Sequence, residues 1–258
     1  MNEHVRVTIT NGIGLVTIDR QEALNALNDA VLAGLEEAFI ALDRDLGVRA
    51  VILTGVGKAF AAGADIKAIA QFSPQDAHAF AQRGQRIFNL IEDFPHPVIA
   101  AVNGFALGGG CELVMACDLR IASDRAKAGQ PEVNLGVMPA FGGTQRLARV
   151  LGRSRAKYLL FTGEVITAAR GLELGLFNEV VPAEQLMARC QELAEAIAAK
   201  APLAVSACKQ AVNLGTDGPL GNGLAIEADL FAQTFGTMDQ KEGMQAFIEK
   251  RPARFLGQ

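Results

Sequence analysis

The chain has 258 residues, of which 50% are hydrophobic and 20% charged, with a mean hydropathy of +0.22. That is an ordinary globular composition, neither disordered nor fibrous, and the length suits one large domain or a core with a small appendage. A net charge of −4 argues against a broad phosphate-binding surface for nucleic acid, but leaves room for a single anionic ligand held by backbone N–H groups and a few local Lys or Arg residues.

The opening segment Met1-Asn2-Glu3-His4-Val5 carries no basic stretch leading into an apolar run, so it does not read as a signal peptide. No apolar stretch is long enough to span a bilayer. Cys111, Cys117, Cys190 and Cys208 form no CxxC pair and are expected to be small buried thiols. These features predict a cytoplasmic protein.

Val5–Thr10 and Gly14–Asp19 flank Asn11-Gly12 and predict a β-hairpin. Asn28 or Asp29 caps a helix to about Asp43, with Leu32, Leu35, Phe39 and Leu42 on one face. Ala50–Thr54 predicts a buried strand, and Gly55 to Ala64 a small-residue loop. Ser73-Pro74-Gln75-Asp76 is a helix start, and the helix runs to about Glu92 before Pro95 and Pro97. Val98–Val102 is a second buried strand, followed by another Gly-rich loop, a short helix from about Gly110 to Cys117, and strands at 119–122 and 127–128. From Thr144 the pattern is helical, in pieces punctuated by Gly and Pro. Val51-Ile52-Leu53-Thr54-Gly55 and Val98 through Gly104 look like two versions of one unit, which predicts an α/β layered core and a helical tail.

Several common motifs fail. Gly55-Val56-Gly57-Lys58 lacks the Gly at 52 and the Ser or Thr at 59 of a P-loop. No GxGxxG opens a helix after a strand, and GxSxG is absent. His4, His78 and His96 have no HExxH-type partner.

What survives is a pair of loops, Phe60 to Lys67 and Asn103 to Glu112, each following a buried strand and preceding a helix. Small residues let a backbone approach a ligand closely, and the free N–H groups of a helix start favour negative charge. Two such loops on adjacent strands aim two donors at one oxygen, the arrangement that stabilises an enolate; either loop alone also reads as a tight turn. Glu112 begins a strongly apolar helix, where desolvation raises a carboxylate pKa toward the range of proton transfer; its plainer role is to complement the helix dipole. Glu132 follows in Gln130-Pro131-Glu132, again in a small apolar setting, with a solvated loop carboxylate as the plainer reading. Two such carboxylates beside an oxyanion hole suit addition of water across a conjugated double bond.

Together these residues resemble the crotonase (enoyl-CoA hydratase/isomerase) superfamily, and within it the enoyl-CoA hydratases. The matching runs are Asn25-Ala26-Leu27, Lys58 to Lys67, Pro97 to Gly104, Ala106 to Glu112, Gly129 to Glu132, Pro139 to Leu147, Leu160 to Gly163 and Glu242 to Phe247, so the likeness covers nearly the whole chain. The resemblance implies an α/β fold: a ClpP-like spiral of ββα repeats over residues 1–200, with a helical trimerisation region at 201–258. It implies a homotrimer or a hexamer built as a dimer of trimers. It also implies an acyl-CoA substrate bound near Ala62, Ala64, Asp65, Ile66, Lys67 and Gly109, with the N–H groups of Ala64 and Gly109 holding the thioester oxygen. Glu112 then acts as base toward water and Glu132 handles the proton at C2. Neither a metal nor a redox cofactor is implied, because coenzyme A is part of the substrate.

Ala140 departs from the pattern, since many hydratases have Gly there; the N–H survives, but a positive φ would strain the Ala. Asp65 reads as a helix cap, Asp118 as a partner of buried backbone groups, and Lys250, Arg251 and Arg254 either as phosphate contacts or as a solvated charged tail. The rival readings are a sister reaction on acyl-CoA (isomerisation or thioester hydrolysis), a non-catalytic acyl-CoA or RNA binder, and a Clp-type peptidase. The acidic balance opposes RNA, and no Ser stands beside a suitable His.

Overall fold

Asn11 and Gly12, at φ 51° and 77°, turn the chain between β1 (Val5–Thr10) and β2 (Ile13–Ile18), which pair antiparallel as the Asn-Gly signal predicts. The computed structural model describes residues 3–258, so Met1 and Asn2 of the opening segment lie outside the described residues. Asn28 caps α1 (Asp29–Asp43) by accepting from the Val31 N–H at 2.9 Å, and the helix buries Leu32, Leu35, Phe39 and Leu42.

From here the chain winds as a spiral. One strand enters a six-stranded sheet, the next a four-stranded sheet, and a helix closes the turn. The first turn is β3 (Ala50–Gly55), β4 (Ala59–Ala61), α2 (Ile66–Ile69) and α3 (Pro74–Glu92). The second is β5 (Val98–Val102), β6 (Phe105–Leu107) and α4 (Gly109–Met115). The third is β7 (Leu119–Ser123), β8 (Lys127–Gly129), a 3-10 turn at Pro131–Leu135, then α5 (Gly143–Leu151) and α6 (Arg153–Thr162). Then β9 (Val165–Thr167) joins the smaller sheet, α7 (Ala168–Leu174) follows, and β10 (Glu179–Val181) joins the larger. Helices α8 (Leu186–Ala198), α9 (Pro202–Gly215), α10 (Leu220–Thr234) and α11 (Met238–Glu249) complete the chain.

The sheet orders are β1-β2-β3-β5-β7-β10 and β4-β6-β8-β9. The central strands of the larger sheet are parallel and buried on both faces. In β3, Val51 and Leu53 face the main core with α1 and α3, whereas Ala50 and Ile52 face Leu186, Cys190 and Ala194 of α8. That is why Ala50–Gly55 reads as an unbroken apolar run. The start of α3 is a full capping box between Ser73 and Asp76, worth about 1 kcal/mol.

Several expectations need correction. The loops predicted at Gly55–Ala64 and after Val102 contain β4 and β6, and the region predicted as helical after Thr144 contains β9 and β10. These strands have three residues each, too few for an alternating pattern to declare itself. Cys208 is exposed on α9 rather than buried, unlike Cys111, Cys117 and Cys190. Among the described residues, no helix is long and apolar enough to cross a membrane.

Candidate active site

The second Gly-rich loop is shaped by contacts that only glycine permits. Gly108 adopts φ 50° and ψ −123° at the N-terminus of α4. A Cβ on Gly110 would stand 1.8 Å from the Ala61 carbonyl oxygen. The missing side chain lets α4 begin directly against β4, and all seven of its residues are buried.

Glu112 lies on the first turn of α4 and is 2% exposed. Its Oε1 accepts from the Phe141 N–H at 2.8 Å and from the Gly143 N–H at 2.6 Å. Burial pushes its pKa up to about 7; the two N–H donors and Arg146 pull against that rise, while the Glu132 charge adds to it. The carboxylate is thus fixed by one oxygen and poised to exchange a proton near neutrality.

Glu132 sits in the 3-10 turn after β8, half-buried, and burial raises its pKa to about 7 as well. With its amide nitrogen turned toward the carboxylate, Gln130 donates to Glu132 Oε1 at 2.9 Å and Oε2 at 3.2 Å; the opposite orientation would set oxygen against oxygen. A Cβ on Gly108 would come within 2.8 Å of Glu132 Oε1. The carboxylate therefore occupies the space left by that glycine, at the base of the helix that carries Glu112.

Ala64 forms an isolated parallel bridge with Leu27. The bridge uses the Gly63 carbonyl, accepting from the Leu27 N–H at 2.7 Å, and the Asp65 N–H, donating to the Leu27 carbonyl at 2.9 Å. In an extended segment the residue between those groups directs its own N–H the other way. Gly109 is the first residue of α4, so its N–H has no carbonyl a turn earlier to bond. The residues before these two are close neighbours: a Cβ on Gly108 would lie 3.7 Å from the Gly63 Cα. The structure thus brings the two loops together beside Glu112 and Glu132.

Asp65 caps α2, accepting from the Lys67 N–H at 3.1 Å, and pairs with Arg20 at 2.8 Å. The Arg20 guanidinium holds its carboxyl below the usual range. The cap reading is the one the geometry follows. Ala62 is half-buried and donates its N–H to the Leu24 carbonyl, while Ile66 and Lys67 are exposed. Among the described residues the non-glycine positive-φ positions are Asn11, Leu24, Asn25 and Lys250, so Ala140 is free of that strain. In the basic cluster, Arg251 is paired with Glu242 and Glu249, and Lys250 closes α11 in a left-handed conformation. Asp118 accepts from the Val98 N–H at 2.7 Å, as a core role predicts, and also pairs with Lys209 at 2.7 Å.

The sequence reading missed Phe141 and Gly143 as donors to Glu112, Gln130 as the partner of Glu132, and Arg146, which is 8% exposed. Backbone donors leave no trace in side-chain chemistry. Arg146 does leave one: Gly143, Arg146, Leu147 and Leu151 share the buried face of α5, so a cation stands at a core position.

The model of the enoyl-CoA hydratase/isomerase family matches residues 8–258. The chain belongs to that family. Among its relatives in the enoyl-CoA hydratase/isomerase family, a crotonyl-CoA hydratase of Syntrophomonas wolfei is 49% identical over 95% of this chain and 94% of its own. A short-chain-enoyl-CoA hydratase of Clostridium acetobutylicum is 48% identical over 93% of this chain and 92% of its own. The crystal structure of an enoyl-CoA hydratase from Bacillus anthracis superposes with a TM-score of 0.96 at 39% identity, covering 99% of this chain and 100% of that one. The α/β crotonase fold with its helical C-terminal region, expected from the sequence, is therefore the fold of this enoyl-CoA hydratase/isomerase family member.

Proposed function

We propose that this protein is an enoyl-CoA hydratase that adds water reversibly and syn across the double bond of a trans-2-enoyl-CoA, giving a 3-hydroxyacyl-CoA. The observation that carries this reading is the pair Glu112 and Glu132, both with a pKa brought to about 7 by burial and both beside the neighbouring glycine loops. In the forward direction a water gives one proton to the Glu112 carboxylate while its oxygen bonds to C3. The C2–C3 π electrons move toward the thioester, whose oxygen takes up negative charge against the N–H groups of Ala64 and Gly109. Glu132 then gives its proton to C2. The proton that Glu112 gains then passes to Glu132 through solvent, which restores both carboxyls for the next turnover, and the reverse reaction runs the same steps backward, so water is the one co-substrate.

The similarity to crotonyl-CoA and short-chain hydratases favours a short acyl chain. Ala62, Asp65, Ile66 and Lys67 line the approach to Ala64 in this reading, with Asp65 acting through its cap and Arg20 rather than as a ligand. A homotrimer, alone or paired into a hexamer, is supported by α10, none of whose residues is buried in the single chain although Leu224 and Phe231 are large and apolar. The test is loss of the enoyl thioester absorbance across a ladder of chain lengths. Hydration strongest at the short end is expected, and no hydration at any length would refute the assignment.

A further inference from the structure

Resting on the hydratase reading, we propose that Arg146 is a positioning residue for Glu112: its guanidinium, braced by Asn89 and Glu92 of α3, holds the 139–143 loop so that the Phe141 and Gly143 N–H groups converge on one carboxylate oxygen. The Arg146 side chain donates from Nη1 to the Phe141 carbonyl at 2.9 Å, from Nη2 to Asn89 Oδ1 at 2.6 Å, and from Nε to Glu92 Oε2 at 2.9 Å. Phe141 is thus tied at both backbone groups, its carbonyl to Arg146 and its N–H to Glu112. A buried guanidinium with every arm engaged resists rotation, and a fork of fixed donors fixes what it grips.

The rest of α3 holds the same loop. The Gln85 amide donates to the Ala140 carbonyl at 2.8 Å. The Phe141 ring lies over Gly84, where a Cβ would come within 2.1 Å of it, and packs against Phe80 and Phe88. Phe80, Gly84, Gln85, Phe88, Asn89 and Glu92 follow a helical period, so one face of α3 carries the entire grip. That accounts for a glycine in the middle of a long helix, where it otherwise weakens the helix.

Arg146 also acts by charge. The titratable and charged groups facing Glu112 are Glu132 from the turn after β8, Arg146 from α5, and the adjacent Cys111 thiol, itself pushed up to about 12 by burial. Of these, Arg146 is the one that favours the Glu112 carboxylate. Removing the cation therefore raises the Glu112 pKa. Neutralising its counter-ion Glu92 leaves the cation less compensated and lowers that pKa.

The test uses the full chain with Arg146→Met and Glu92→Gln, read by the pH dependence of kcat. Arg146→Met is expected to lower kcat about 10- to 100-fold with KM within about 2-fold, and to move the acid limb upward by about half a pH unit or more. Glu92→Gln, a change at a partly exposed side chain, is expected to move the limb downward, and it decides the matter alone if Arg146→Met does not fold. A merely structural role would leave both limbs where the unaltered enzyme has them, and that outcome, or an upward move for Glu92→Gln, overturns the proposal. Titration of the Glu112 carboxyl by carbon-13 NMR without substrate reads the same shifts. A wild-type protein that hydrates nothing would therefore sink the hydratase reading while the role of Arg146 is still judged.

Discussion

Glu112 and Glu132 differ in how they are held, and that difference fits the roles proposed for them. Glu112 has one oxygen fixed by two backbone donors, which favours the carboxylate, whereas Glu132 takes its rise from burial with only its own backbone N–H opposing. Burial brings both carboxyls to about 7, and the Glu132 charge adds to the rise of Glu112, so the two titrate in the same range. The proposed hydration needs one proton between them, with Glu112 ionised and Glu132 protonated. At lower pH Glu112 gains a proton and loses its basicity; at higher pH Glu132 loses the proton it must deliver. A bell-shaped profile of kcat centred near pH 7 is expected, and a plateau from pH 5 to 9 would contradict the assignment. Glu112→Gln or Glu132→Gln should each lower kcat by about 10²-fold or more in the same absorbance assay. Both glutamates were legible in the sequence because a carboxylate next to Leu113-Val114-Met115 or after a Gly-rich strand end is chemically conspicuous. The groups that orient them were not, since the Phe141 and Gly143 donors belong to the backbone and become visible only once the loop is folded.

At the scale of elements, the site is made where the spiral brings two strand ends of the smaller sheet side by side. β4 and β6 are parallel neighbours, and the loops that leave them meet at Gly63 and Gly108. The sequence showed the two loops and the longer strands β3 and β5, whose apolar runs are unmistakable. It did not show that β4 and β6 are strands, because three residues carry no period. Close approach of α4 to β4 depends on Gly110. Gly110→Ala forces its Cβ against the Ala61 carbonyl, so the helix must shift or the strand must bend. The expected cost is about 1–3 kcal/mol in denaturant unfolding, together with a fall in kcat because Glu112 moves with the helix. Unchanged stability and turnover would mean that the packing there is looser than the contact implies.

For the molecule as a whole, composition and motif order made the family legible from end to end, and the family match over residues 8–258 agrees. What a single chain does not express in its pattern is which apolar residues would meet another copy in the proposed oligomer. Leu220, Leu224 and Phe231 are exposed on α10, although a solitary fold has every reason to cover them. Phe231→Glu is expected to shift the protein from an oligomer toward the monomer in sedimentation velocity, and an unaltered sedimentation coefficient would remove α10 from the interface. All of this serves one claim, that Glu112, Glu132 and the two glycine loops hydrate an enoyl thioester. The most direct measurement follows crotonyl-CoA at pH 7 with the wild-type protein, by absorbance and by mass. The account predicts rapid loss of the enoyl absorbance with a product heavier by one water; persistence of the absorbance, or a product of unchanged mass, would contradict it.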